Sequence, residues 1–110
     1  MIYFDNSATS PIDEEVVDVM LPYLREEYGN PSSKYYAKAA NAKKAVEDAR
    51  EKVAMLLGAK HEEIIFTAGA TESTNFIIKG YLDYRKYYGD GKNHIITSVV
   101  EHKATLNTCK

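Results

Sequence analysis

The sequence predicts an α/β fold in which a strand–helix–strand unit is preceded by two helices. Residues 64–67 form a short run of β-branched and aromatic side chains, as in a buried strand. Residues 71–88 carry apolar side chains at helical spacing, and residues 94–100 form a second apolar run that suits burial on both faces of a parallel sheet. Two parallel strands joined by a helix make a βαβ crossover, which is expected to be right-handed.

The turn between the first strand and its helix is the strongest candidate for a binding site. It consists of Ala68, Gly69 and Ala70, and the hydroxyl side chains of Thr71 and Ser73 follow. Such a turn directs several free backbone N–H groups and the positive end of the helix dipole at one point, which favours an anion and above all a phosphate. A simpler interpretation, in which Thr71 only caps the helix, stays open at this point.

Composition restricts the class of protein. The chain has 110 residues, which suggests one domain at most, and 45% of them are hydrophobic, which is enough for a globular core. A net charge of −2 predicts neither a nucleic-acid nor a membrane partner, and the first residues lack the pattern of a secretory signal. The single cysteine, Cys109, fits a reducing compartment, so we expect a cytoplasmic protein. No His/Cys cluster has the spacing of a metal site.

The first half of the chain is predicted to be an arm followed by two helices. Residues 1–12 form the arm, which contains turn-forming residues. Asp13 is expected to cap a helix that runs to about Tyr28, with Pro22 kinking or splitting it. The loop of residues 29–33 comes next. A second helix is expected from about Ser33 to Leu57, with Gly58 ending it and one apolar face that consists of Ala42, Val46, Ala49, Val53, Leu56 and Leu57.

A second candidate site residue follows the second predicted strand. After a turn over residues 89–93 and that strand come Glu101, His102 and Lys103, and then the start of a last helix. Ligands of open α/β sheets bind outside the carboxyl ends of the strands, and the turn at Ala70 and Thr71 lies at the same edge. We therefore expect His102 and this turn to be neighbours. The alternative is a helix-start histidine that is merely bonded to the backbone.

Four short motifs together resemble the amino-terminal part of the cysteine desulfurases, class V members of the fold-type I pyridoxal 5′-phosphate (PLP) enzymes. The motifs occur in the order and at the spacing typical of that family, over nearly the whole chain. They are YFDNSAT at residues 3–9, GNPSS at 29–33, IIFTAGATES at 64–73, and IIT at 95–97 followed by EHK at 101–103.

The resemblance implies a fold, a cofactor and roles for single residues. Residues 13–110 would be an incomplete large PLP-binding domain, with residues 1–12 as its extended arm. Ala70 and Thr71 would hold the cofactor phosphate. His102 would be the catalytic residue of this segment, since an imidazole is flat enough to stack on the pyridine ring and exchanges protons near neutral pH. Asn6 and the loop of residues 29–33 would line or support the active site.

The resemblance also implies a reaction that this chain does not complete alone. The family converts L-cysteine to L-alanine and leaves a persulfide on the enzyme, which supplies sulfur for iron–sulfur cluster assembly. A homodimer and an iron–sulfur scaffold partner would be expected. The Schiff-base lysine, the aspartate of the ring nitrogen and the sulfur-carrying cysteine of the family have no counterpart here, and Cys109 is at the wrong place. We therefore expect the segment to be inactive alone and soluble only when associated.

One further departure and two alternatives accompany the resemblance. Family members often carry a histidine near a glycine after the GNPSS loop, whereas this chain has Tyr35, Tyr36 and Ala39 there. A different class V PLP reaction, such as that of a selenocysteine lyase or an aminotransferase, stays open because the deciding residues lie elsewhere. A non-catalytic module that binds phosphate or a partner subunit also stays open.

Overall fold

The computed structural model of the chain describes residues 2–89, 91–92 and 94–110. Its regular elements are four α-helices and a short 3₁₀ turn. In chain order they are α1 (Glu14–Arg25), α2 (Ala37–Leu57), the 3₁₀ turn (His61–Glu63), α3 (Ala70–Tyr88) and α4 (Lys103–Thr108). Within the described residues, no helix has the length and apolar character needed to cross a membrane. The structure forms two units, residues 1–64 and residues 65–110.

Helix α1 begins where the capping residue predicts. The Asp13 carboxylate accepts the Glu15 N–H at 3.0 Å, and two acidic residues follow in the first turn, where the helix dipole favours them. Pro22 lies inside the helix but does not split it. The helix ends at Arg25, one turn after Pro22, and the Pro22 carbonyl accepts the amides of both Glu26 and Glu27 at 2.8 Å. The predicted end at about Tyr28 was therefore three residues too late.

The loop between α1 and α2 is tied to the start of α2. The Tyr36 hydroxyl accepts the Asn30 N–H at 3.0 Å, and the Lys38 ammonium donates to the Glu26 carbonyl at 2.5 Å and lies 4.5 Å from the centre of the Tyr28 ring. Tyr36 has an extended backbone, so α2 begins at Ala37 and not near Ser33 as predicted. Tyr36 thus links the loop to the start of α2 through its hydroxyl group.

The carboxyl end of α2 confirms the predicted stop signal. Gly58 adopts the left-handed conformation, with φ of 64°, that favours glycine after a helix. The Ala59 N–H returns to the Ala54 carbonyl at 2.9 Å, which completes the cap. Beyond it, the Arg50 guanidinium donates to the Ile64 carbonyl and so fastens the 3₁₀ turn to α2.

The second unit consists of α3, α4 and the segments before them. Helix α3 runs from Ala70 to Tyr88 and was predicted to within one residue at its start. It packs against α4. The predicted turn over residues 89–93 includes Asp90 and Asn93, which lie outside the described residues.

The βαβ core is not confirmed. Residues 64–67 and 94–98 have no regular secondary structure, and the predicted strand ends differ again because Val99 and Val100 lie in a turn. A strand exists only when its backbone N–H and C=O groups pair with a neighbour. Among the described residues, no backbone hydrogen bond joins these two segments to each other. The predicted crossover helix, α3, is present, whereas the described residues show no strand on either side of it.

Few side chains are buried. The described residues that are buried are Ala39, Ala42 and Ala54, all on α2. The predicted apolar face of α2 is only partly correct, since Ala42 is buried and Val46 and Val53 are half-buried, whereas Ala49 and Leu57 are exposed and Leu56 is 84% exposed. The amphipathic pattern therefore identifies side chains that need a covering surface, and these helices do not supply it.

Candidate functional site

The amino-terminal turn of α3 presents a set of unused backbone donors. Gly69 is the N-cap residue, and its carbonyl accepts the Ser73 N–H at 3.1 Å as the first helical bond. The preceding amides, those of Ala70, Thr71 and Glu72, have no acceptor among the described residues. Three convergent N–H groups at the positive end of a 19-residue helix form the arrangement that binds phosphate groups.

Side chains hold this turn in shape. The hydroxyls of Thr67 and Ser73 are 2.7 Å apart, and the Ser73 hydroxyl also lies 3.3 Å from the Gly69 carbonyl. The Glu72 carboxylate accepts the Ala68 N–H at 2.5 Å. The Ser73 hydroxyl, which the sequence offers as a ligand donor, is thus engaged within the protein. The Thr71 side chain has no such contact among the described residues.

His102 is the N-cap residue of α4. Its Nδ1 accepts the Ala104 N–H at 3.1 Å, and its carbonyl accepts the amides of Thr105 and Leu106. The alternative considered from the sequence, a helix-start histidine bonded to backbone, therefore describes its contacts correctly. The imidazole can still take part in proton transfer, because this bond uses Nδ1 only and leaves Nε2 outside it. In the neutral imidazole Nδ1 is the acceptor, so the proton resides on Nε2.

The two candidate features share one depression on the second unit. This depression has a volume of about 340 Å³, and the residues that line it are Thr71, Asn75, His102, Lys103, Ala104, Asn107 and Thr108. The predicted neighbourhood of Thr71 and His102 is thus what the structure has. A second depression is lined by residues 68–72 and Asn75, so it shares Thr71 and Asn75 with the first.

The lining of the shared depression is suited to an anion. Its charged residue is Lys103, and none of its seven lining residues is acidic. Asn75 was not identified from the sequence as a site residue. Its side-chain amide donates to the Thr71 carbonyl at 2.9 Å, which fixes both residues on the wall of the depression. Its position one turn after Thr71 was the available signal.

Other candidates from the sequence are not among the residues that line this depression. Asn6 and the loop of residues 29–33 belong to the first unit. Cys109 is half-buried just after α4 and has no disulfide partner.

The cap at His102 leads to a testable difference between two substitutions. His102→Asn retains a side-chain acceptor near the position of Nδ1, so α4 is expected to keep its start. His102→Gln carries its amide one bond further out, which suits Nε2 better than Nδ1, and is expected to lose about 1 kcal/mol of helix stability. Residue-resolved hydrogen exchange of the Ala104 amide measures the effect. Equal protection in the two variants would contradict the assigned bond.

Comparisons with known proteins identify the family. The model of the family described as aminotransferase class V matches residues 2–110. The chain is 51% identical over 109 residues to the cysteine desulfurase IscS of Rickettsia typhi and 52% identical over the same length to a probable mitochondrial cysteine desulfurase of Dictyostelium discoideum. In each case 99% of this chain is matched.

A solved structure supports the same relationship at the level of the fold. The backbone superposes on a NifS-like protein with a TM-score of 0.83 and 42% sequence identity, over 97% of this chain and 28% of that one. The chain spans 26% of the Rickettsia relative and 24% of the Dictyostelium relative, so it corresponds to about a quarter of each. The chain therefore belongs to the aminotransferase class V family, in a stretch related to the cysteine desulfurases.

Proposed function

We propose that this chain is the amino-terminal portion of a PLP-dependent cysteine desulfurase and that its second unit contributes half of the cofactor site. Ala70 and Thr71 would hold the cofactor phosphate through their amides, and His102 would lie against the pyridine ring. The observation that carries the proposal is the single depression that Thr71 and His102 line. The identity to cysteine desulfurases over almost the whole chain supports it.

The residues present fit the cofactor. A phosphate dianion needs converging donors, and the depression offers the Thr71 side of the turn and the Lys103 ammonium, with no acidic residue among those that line it. The carboxylate nearest in sequence, that of Glu72, lines the second depression and accepts the Ala68 N–H. The flat imidazole of His102 also lines the first depression. When bound, PLP supplies the electron sink that lets bonds at the substrate α-carbon break. In this proposal the turn holds the cofactor phosphate, and His102 offers a proton at Nε2.

We also propose that the whole protein is a cysteine desulfurase in its activity. The reaction would convert L-cysteine to L-alanine and leave the sulfur as a protein persulfide for iron–sulfur cluster assembly. A homodimer, an iron–sulfur scaffold partner and a cytoplasmic location are the expectations that accompany it. The lysine and aspartate that engage the cofactor, and the cysteine that carries sulfur, would come from residues with no counterpart here, so the chain alone is expected to bind without catalysing.

The test removes one phosphate donor while keeping the helix. Ala70 is the first residue of α3, the position at which proline is best tolerated, so Ala70→Pro deletes one amide with little effect on helicity. Loss of one charge-assisted hydrogen bond is expected to weaken binding of PLP and of inorganic phosphate about ten- to hundredfold. An absorbance titration with PLP, repeated in competition with phosphate, measures both affinities.

A matched control is available on α2. Ala37 is the first residue of that helix and also follows an extended N-cap residue, so Ala37→Pro makes the same chemical change away from the depression. The control is expected to bind PLP as the unchanged chain does. Equal weakening in both proline variants, or none in Ala70→Pro, would refute the phosphate assignment. Binding of phosphate without any added affinity for PLP would instead support the non-catalytic phosphate module.

A further inference from the structure

The Glu72 side chain folds back over the start of α3. Glu72 is the third residue of the helix, and its carboxylate accepts the Ala68 N–H at 2.5 Å. A glutamate at this position usually reaches the amide of the N-cap residue itself, in the capping box. Here it reaches one residue earlier and so fixes the backbone that leads into the helix.

A second link joins the same segment to the same helix. Thr67 and Ser73 are half-buried, and their hydroxyls lie 2.7 Å apart. The Thr67 hydroxyl also lies 3.3 Å from the Gly69 carbonyl. Together with the bond from Ala68 to Glu72, these side-chain bonds tie residues 67–69 to the first turn of α3.

We infer that Glu72 is a positioning residue for phosphate binding: its hydrogen bond to Ala68 keeps the turn in the shape in which the Ala70 and Thr71 amides converge. The inference rests on the proposed function. The Glu72 side chain has two opposite effects on phosphate binding. The acceptor oxygen orders the turn and favours binding, whereas the negative charge, near the bound dianion, opposes it.

Two substitutions isolate the hydrogen bond from the charge. Glu72→Gln and Glu72→Ala remove the same charge, but only glutamine keeps an acceptor for the Ala68 N–H. We expect Glu72→Gln to bind inorganic phosphate at least about five times more tightly than Glu72→Ala, which is the difference one backbone hydrogen bond produces. Isothermal titration of each full chain with phosphate measures the ratio, and hydrogen exchange of the Ala68 amide, protected in glutamine and not in alanine, reports the bond itself.

A matched pair of control variants exists in the first unit. The Glu63 carboxylate accepts the Lys60 N–H at 2.8 Å, so Glu63→Gln and Glu63→Ala make the same change to the same kind of bond. The two are expected to bind phosphate equally. If Glu72→Ala equals or exceeds Glu72→Gln in affinity, the carboxylate only occupies the turn and the inference is wrong, although the phosphate site stands. If the unchanged chain binds no phosphate, both the inference and the proposed function fail.

Discussion

Gly29→Ala is expected to unfold the connection between α1 and α2. A Cβ built on Gly29 would overlap the backbone carbonyl of Lys38 and would lie 2.7 Å from the Ala39 nitrogen. Both obstacles are backbone atoms inside the first turn of α2, so neither moves without breaking that turn. Overpacking of this kind costs about 3 kcal/mol.

The Asn30 amide reports this effect directly. It donates to the Tyr36 hydroxyl at 3.0 Å, and this bond exists only while the loop rests on α2. We expect its hydrogen-exchange protection to fall about a hundredfold in Gly29→Ala, the ratio that corresponds to about 3 kcal/mol. Gly80→Ala is the control, because a Cβ at this position in the middle of α3 meets no atom within 4 Å. That control is expected to stabilise its helix by about 1 kcal/mol. Unchanged protection of Asn30 in Gly29→Ala would contradict the packing described.

The isolated chain is expected to associate and not to exist as a stable monomer. Only three alanines are buried among the described residues, whereas Ile77 is 66% exposed and Ile96 is 93% exposed. Ordering a residue costs about 1–2 kcal/mol of backbone entropy, and burial of a large apolar side chain returns about 1.5–3 kcal/mol. Three buried methyl groups cannot offset that cost, so the apolar side chains must find another surface.

Static light scattering tests this expectation. We expect a mass above the 12.4 kDa of one chain, and a lower apparent mass for Ile77→Lys, which places a charge on the exposed face of α3. Lys79→Arg on the same helix, which keeps the charge, is the control and is expected to associate as the unchanged chain does. A monomer of 12.4 kDa that unfolds in one cooperative transition would overturn the expectation.

Local signals in the sequence predicted the helices well. Asp13 marks the start of α1 and Gly58 the end of α2, because capping depends on a residue and its immediate neighbours. The predicted end of α1, at about Tyr28, was three residues too late. The start of α2 was missed because the Tyr36 hydroxyl holds Asn30, a contact six residues apart that no helical periodicity shows.

The strands and the apolar faces were not predictable in the same way. Residues 64–67 have the composition of a strand, but a ladder requires a partner segment, and among the described residues no backbone hydrogen bond joins the two apolar runs. Leu56 and Leu57 follow the amphipathic pattern of α2 and are nevertheless exposed. The pattern indicates which side chains favour burial, and whether they are buried depends on surfaces elsewhere.

The sequence predicted that Thr71 and His102 are neighbours, but it did not predict the bonds around them. Thr71 and His102 line one depression, as the shared edge of an α/β unit led us to expect. The bond from Ala104 to His102 had been considered only as an alternative to a role in the site, and the bond from Ala68 to Glu72 was not foreseen. The position of Glu72 could have indicated its bond, because a glutamate at the third residue of a helix often accepts a preceding backbone amide.

Titration of the isotopically labelled chain with PLP tests the central claim most directly, because it observes both halves of the site at once. The account predicts that the Ala70 and Thr71 amide signals and the His102 ring signals shift together, with one common midpoint, while the Asn30 amide in the first unit stays unchanged. Shifts of the turn without the ring, or with two different midpoints, would show that the phosphate cradle and the imidazole do not serve one ligand.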